Sequence, residues 1–176
     1  MQRWRVPLGF ACAALFFLLA HARPETLTVG GLVALPGLAL RAWATGHLRK
    51  NDALATTGPY AYTRNPLYLG SFVMGLGVTI AAGRLILGVV FAALFLGIYV
   101  PVMRVEAKTL GELFGKEYQD YAAKVPMFLP RVTAYRTSPV TVRFDPALYR
   151  RYREDRTTIG LTLAWLLLAM KAYWFR

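Results

Sequence analysis

Charge is scarce in this sequence. Only 17% of its 176 residues are Asp, Glu, Lys or Arg, against about 25% in a typical water-soluble domain, and that deficit argues against a soluble globular fold. Cysteine is scarcer still. The single Cys12 excludes an internal disulfide, and a lone thiol inside an apolar run is usually inert. Acidic residues are few, nine against 21 basic ones, leaving a net charge of +12. No nucleic-acid recognition motif accompanies that charge, so nucleic acid is not an expected partner. No internal repeat or low-complexity tract interrupts the chain.

What remains is apolar. Hydrophobic residues make up 56% of the chain, and they are gathered into runs rather than spread with a strand or surface-helix period. A hydrocarbon core of about 30 Å needs roughly 20 apolar residues per helix, with about 17 as a lower limit. Five segments qualify, at 6–22, 26–44, 67–83, 85–103 and 157–175. The first follows Arg3 and Arg5 and resembles a signal peptide, but it lacks a small-x-small cleavage site before His21 and Arg23 and reads as a retained helix. The expected fold is therefore an all-α membrane protein, one domain of five transmembrane helices.

Basic residues orient these spans. With the N-terminus in the cytoplasm, seventeen of the 21 Lys and Arg residues fall on the inner side. Arg23, Arg84, Lys171 and Arg176 are left outside. The positive-inside rule favours that orientation, and a bacterial inner membrane is the expected location. Inner-leaflet anionic lipid is the partner such a charge would attract.

Three divisions follow along the chain. Residues 1–44 form a hairpin scaffold in which Gly30, Gly31 and Gly37 allow close helix packing and Pro36 a kink. Residues 45–131 carry the chemistry. Within them, the spans 67–83 and 85–103 turn tightly at Ala82-Gly83-Arg84. After Pro101, Leu110, Leu113, Phe114, Tyr118, Tyr121 and Val125 recur at three- and four-residue steps, an amphipathic helix expected to cap the membrane domain. Residues 132–176 supply a connector and the last span, with Asp145-Pro146 starting a helix that runs into it. Oligomeric state is not fixed by these features. A monomer suffices, with Gly70, Gly75 and Gly77 packing against another helix of the same chain.

The stretch GPYAYTRNPLYLGS at 58–71 concentrates unusual residues at the mouth of the third span. Singly, each has a structural explanation: Asn65 as a helix N-cap, Pro66 at the first turn, tyrosines in an interfacial belt and Arg64 reaching phosphates. Together they face Arg104 and Glu106 at the inner end of the fourth span. An ionisable group at that boundary is a functional candidate. A polar, tyrosine-lined pocket open to both water and lipid is expected there.

The ordered set GPY-x3-RNP-x-Y-x-G, a Glu after the next span, L-x3-FG-x-EY-x2-Y and VP-x2-LP resembles the isoprenylcysteine carboxyl methyltransferase and phospholipid methyltransferase families over about 47–131. The resemblance implies methyl transfer from S-adenosyl-L-methionine without a Rossmann domain, and no GxGxxG is present. It implies a cofactor site drawn from Lys50, Asp52, Ala53, Leu54, Ala55, Tyr60, Asn65, Pro66, Leu67, Tyr68 and Glu106. His47, Arg64 and Arg104 are the catalytic candidates, and no metal is expected. This chain departs from the family in carrying Asn65 where many members have histidine, Ala107 after Glu106 where a second glutamate is usual, and Val102 where an arginine is expected. An amphiphilic or lipid acceptor is implied, carboxyl O-methylation being one form. An NADPH-dependent membrane reductase of the sterol reductase type and a non-enzymatic membrane adaptor are the alternatives.

Overall fold

A computed structural model describes residues 13–49, 53–136 and 143–174. Lys50, Asp52, Cys12 and the first part of the first expected span lie outside the described residues. Within them the chain is helical, with no strand. Helix α1 covers residues 13–19, followed by α2 (Pro24–Thr45), a single 3-10 turn (Gly58–Ala61), α3 (Pro66–Ala81), α4 (Leu85–Lys124), α5 (Pro146–Arg151) and α6 (Glu154–Trp174). Helices α2 and α4 are long and apolar enough to cross a membrane, and α3 is an apolar helix of 16 residues. Along α4, Leu85, Ile86, Val89, Val90, Leu94, Leu96, Ile98, Val102 and Val105 are exposed. A continuous apolar surface of this kind is what a lipid-facing helix presents.

Glycine sets the closest helix pair. A Cβ added at Gly30 would lie 2.5 Å from the Gly77 carbonyl oxygen, and one at Gly37 would lie 2.7 Å from that of Gly70. The backbones of α2 and α3 thus meet directly, as small residues in membrane helices permit. Gly31, about 100° further round α2, gives a neighbouring face to the Trp165 ring of α6. Between α3 and α4 the device is different. Phe72 packs against Phe91, Phe95 and Phe128 at centroid separations of 5.7, 4.9 and 5.8 Å. Phe95 stacks on Tyr99 at 4.6 Å, and Tyr99 meets Tyr68 at 5.5 Å. Rings rather than backbone fill that gap.

Two boundaries differ from expectation. The helix does not stop near Pro101 but continues beyond it, and the chain turns only at Gly115, where φ is +52°. Loss of one intrahelical hydrogen bond at Pro101 kinks a helix without ending it when its flanks are helix-forming. The residue that can adopt a left-handed backbone without a Cβ clash is Gly115. The amphipathic helix is thus the arm after Gly115, folding back so that Tyr118, Tyr121 and Val125 are buried with Ala61 and Tyr135. Second, α5 and α6 are separate helices with Arg153 at φ +57° between them, rather than one continuous helix. The Asp145 cap itself forms, its carboxylate accepting from the Ala147 amide at 2.8 Å.

The turn between α3 and α4 forms where expected, with Gly83 at φ +65°. At this end Ala20, Leu27, Ala81, Ala82, Leu87, Leu168 and Ala172 make a small core. At the other end a part-buried ion pair joins three helices. Arg41 of α2 pairs with Glu154 of α6, its Nε donating at 3.1 Å, and also donates to Ser71 Oγ at 2.6 Å and the Leu67 carbonyl at 3.3 Å on α3. Glu154 stands in the first turn of α6, where the helix dipole favours a negative charge.

Candidate active site

Each residue from Tyr60 to Asn65 is hydrogen-bonded to the segment that follows α4 or to the end of α4 itself. The Tyr121 hydroxyl donates to the Tyr60 carbonyl at 2.8 Å. The amides of Tyr135 and Arg131 donate to the carbonyls of Ala61 and Tyr62, both at 2.9 Å. Thr63 Oγ1 donates to the Phe128 carbonyl at 2.9 Å, the Arg64 amide to that of Pro126 at 3.0 Å, and Asn65 Nδ2 to that of Met127 at 2.8 Å. Main-chain polar groups taken out of water must find partners, and here two loops satisfy one another. The RNP stretch and the VP-x2-LP stretch, some 60 residues apart in sequence, form one clasp.

The clasp positions the tyrosines. Tyr60 is buried, and burial pushes its hydroxyl well above the ordinary tyrosine range, with Tyr121 and Glu106 acting in the same direction. It is a neutral phenol at physiological pH. Asn65 occupies the N-cap position of α3 and Pro66 its first turn, yet the Asn65 side chain makes no capping bond. Its amide goes to Met127 instead. One turn into α3, the Tyr68 hydroxyl donates to Glu106 Oε2 at 3.1 Å. Glu106 is exposed on α4, so the carboxylate keeps further acceptor capacity open to solvent. Tyr60, Tyr68, Tyr99 and Glu106 therefore gather at one end of the α3–α4 hairpin.

The other candidates fall into different surroundings. Leu54 is half-buried against the Tyr118–Tyr121 cluster, Ala55 is half-buried and Ala53 is exposed. The Leu67 carbonyl is taken by Arg41 and by Ser71 Oγ. Arg64 donates to the Tyr118 hydroxyl at 3.1 Å and lies over that ring at 6.0 Å, holding the returning arm against the loop. Arg104 is exposed and has no hydrogen bond or ion pair among the described residues. Two positions apart on a helix, Arg104 and Glu106 project from different faces. His47 is buried beneath Gly58, whose φ is +59°. Its Nδ1 lies 3.0 Å from the Trp43 carbonyl, which can only accept, so the neutral ring carries its proton on Nδ1 and leaves Nε2 as the base.

Residues the sequence did not flag carry much of this arrangement. Thr63 and Tyr135 act through bonds to main-chain atoms, which leave no residue signature. Arg41 had one: a guanidinium within an apolar helix needs a partner, and Glu154 supplies it.

A match to the phospholipid methyltransferase family spans residues 28–117. The chain is 34% identical over 169 residues to the cobalt-zinc-cadmium resistance protein CzcN of Cupriavidus metallidurans, covering 91% of this chain and 77% of that one. It is 29% identical over 169 residues to the nickel-cobalt-cadmium resistance protein NccN of Alcaligenes xylosoxydans xylosoxydans, covering 91% and 78%. A shorter match, 31% over 83 residues, is to protein-S-isoprenylcysteine O-methyltransferase of Schizosaccharomyces pombe, covering 47% of this chain and 35% of that enzyme. No solved structure gives a significant match. With the clasp and the Tyr68–Glu106 pair inside or beside the matched segment, the chain is a membrane protein that belongs to the phospholipid methyltransferase family.

Proposed function

We propose that this protein transfers a methyl group from S-adenosyl-L-methionine to an amphiphilic, lipid-like acceptor at the cytoplasmic face of a bacterial inner membrane. The observation that carries the proposal is the Tyr68–Glu106 hydrogen bond of 3.1 Å beside buried Tyr60. A carboxylate with spare lone pairs next to aromatic faces suits a ligand that is cationic at one end and flat at the other. S-adenosyl-L-methionine, when bound, supplies an electrophilic methyl on a positive sulfonium. Glu106 would hold the cationic end, with Tyr60 and Tyr68 beside it. Leu54, Ala55 and the Asn65–Leu67 backbone would line the rest, with Lys50 and Asp52 adjacent in sequence. The five-span topology and its orientation belong to the same proposal, supported by the seventeen inner basic residues.

The protein's task is then to hold and align, since approximation alone can contribute roughly 7–11 kcal/mol in ideal cases. A carboxylate acceptor needs no general base, only a cation to orient it, and Arg104, exposed and without a partner among the described residues, is open to that role. Arg64 is already engaged by Tyr118. An amine or phenol acceptor would need deprotonation, for which His47 Nε2 and Glu106 are the available bases.

Calorimetry on the purified chain in detergent tests this directly. S-adenosylhomocysteine should bind and NADPH should not. Glu106→Ala removes a charge-assisted contact of about 1.5–3 kcal/mol, so affinity for S-adenosylhomocysteine should fall about 10- to 100-fold while thermal unfolding is little changed. Binding of NADPH in place of S-adenosylhomocysteine would overturn the proposal, and unchanged affinity in Glu106→Ala would remove that residue from the site.

A further inference from the structure

At the end of the bundle away from Glu106, a cleft of about 400 Å³ is lined by His21, Arg23, Thr26, Gly83 and Arg84. Its frame is fixed by hydrogen bonds. The His21 amide donates to the Ala82 carbonyl at 2.7 Å, and Thr26 Oγ1 donates to the carbonyls of Arg23 and Ala81 at 3.0 and 3.1 Å. Arg84 donates to His21 Nδ1 across the cleft at 3.2 Å. Because arginine can only donate, His21 accepts on Nδ1 and is left with an Nε2–H donor. The Arg23 guanidinium has no partner among the described residues. No carboxylate lines the cleft, and the nearby acid, Glu25 in the first turn of α2, forms no ion pair among the described residues.

Position narrows the ligand. From Leu85 to Glu106 the helix rises about 32 Å, close to the thickness of a hydrocarbon core of about 30 Å. With Glu106 at one interface, the cleft lies at headgroup depth in the opposite leaflet. We propose that His21, Arg23 and Arg84 form an anion site that takes a phosphate group there, the phosphodiester of an acidic lipid being the source that this depth favours. Two guanidinium groups and an imidazole N–H are the donor set that phosphate oxygens require, and the N-termini of α2 and α4 add positive potential to it.

Native mass spectrometry of the full chain with phosphatidylglycerol and with phosphatidylcholine tests the site, alongside calorimetry with inorganic phosphate. At about fivefold per basic residue at a membrane surface, Arg23→Gln should weaken phosphatidylglycerol retention about fivefold. Adding Arg84→Gln should take the loss to about 30-fold, with the two lysine replacements recovering most of it. Phosphatidylglycerol lost in these variants and not displaced by phosphate assigns a lipid headgroup. Phosphate binding lost in them while lipid retention is unchanged assigns a free anion. Both retained unchanged would overturn the proposal. Arg23→Gln has no internal bond to lose, so it carries the test alone if the double variant fails to fold.

Discussion

Along the α2–α3 seam, Gly30 faces Gly77 and Gly37 faces Gly70 with backbone against backbone. In the clasp, residues 60–65 meet residues 121–135 through hydrogen bonds to main-chain oxygens. Between its glycines the seam has no directional polar contact and depends on shape, with hydrogen bonds from Thr26 and Arg41 only at its two ends. The clasp depends on direction, its donors aimed at individual carbonyl oxygens. In hydrocarbon no hydrophobic force draws helices together, so close approach is the main source of cohesion. At the interface, water competes for every polar group, and a loop keeps its shape only if its carbonyls are matched within the protein.

That contrast sets how each should break. The largest effect is expected in the seam: a Cβ at Gly77 would lie 2.5 Å from the Gly30 oxygen and 2.6 Å from the Ala34 nitrogen. Gly77→Leu should destabilise by about 3 kcal/mol or more, seen as aggregation or loss of the folded peak in detergent gel filtration. Gly97, with nothing within 4 Å of a Cβ, is the control, and Gly97→Ala should be neutral or gain up to about 1 kcal/mol. An intermediate effect is expected in the clasp. Asn65→Ala leaves the Met127 carbonyl without its donor and should cost about 1–2 kcal/mol in thermal unfolding, with the other bonds of the clasp holding the loop.

The smallest effect is a pH dependence. Burial raises the Tyr60 hydroxyl above its ordinary value of 10.0, so the folded protein keeps a proton that the unfolded chain releases. The stability this contributes is complete below pH 10 and declines as pH rises beyond it. Tyr60→Phe should show a shallower loss of stability between neutral pH and pH 11 than the unsubstituted chain, measured by denaturant midpoints. Equal slopes would show that the phenol is ionised in both states.

The same contrast explains what the sequence disclosed. Glycines in apolar runs are visible as letters, and Gly30, Gly37, Gly70 and Gly77 pack as their positions suggest. Gly83 at its turn and Asp145 at its cap were legible for the same reason: a local rule names the residue. The gathering of Tyr68 and Glu106 at one end followed from hairpin topology. The clasp was not legible, because a main-chain carbonyl accepts equally well from any residue. Asn65 illustrates the limit. Its position at the start of α3 is readable, but the destination of its amide, Met127, is set by a loop 62 residues away. Arg41 announced a need for a partner, while nothing local pointed to Glu154, 113 residues on. The break at Gly115 was hidden because the apolar period continues through it.

The separation of the two halves of the clasp has a consequence for synthesis. Tyr60 leaves the ribosome 61 residues ahead of Tyr121, an interval of about 3–12 s at ordinary elongation rates. Until then the carbonyls of Tyr60, Ala61 and Tyr62 lack the donors that the later segment supplies. The loop from Tyr60 to Asn65 thus takes its final form only after α3 and α4 have both been made, completed by the segment that follows them.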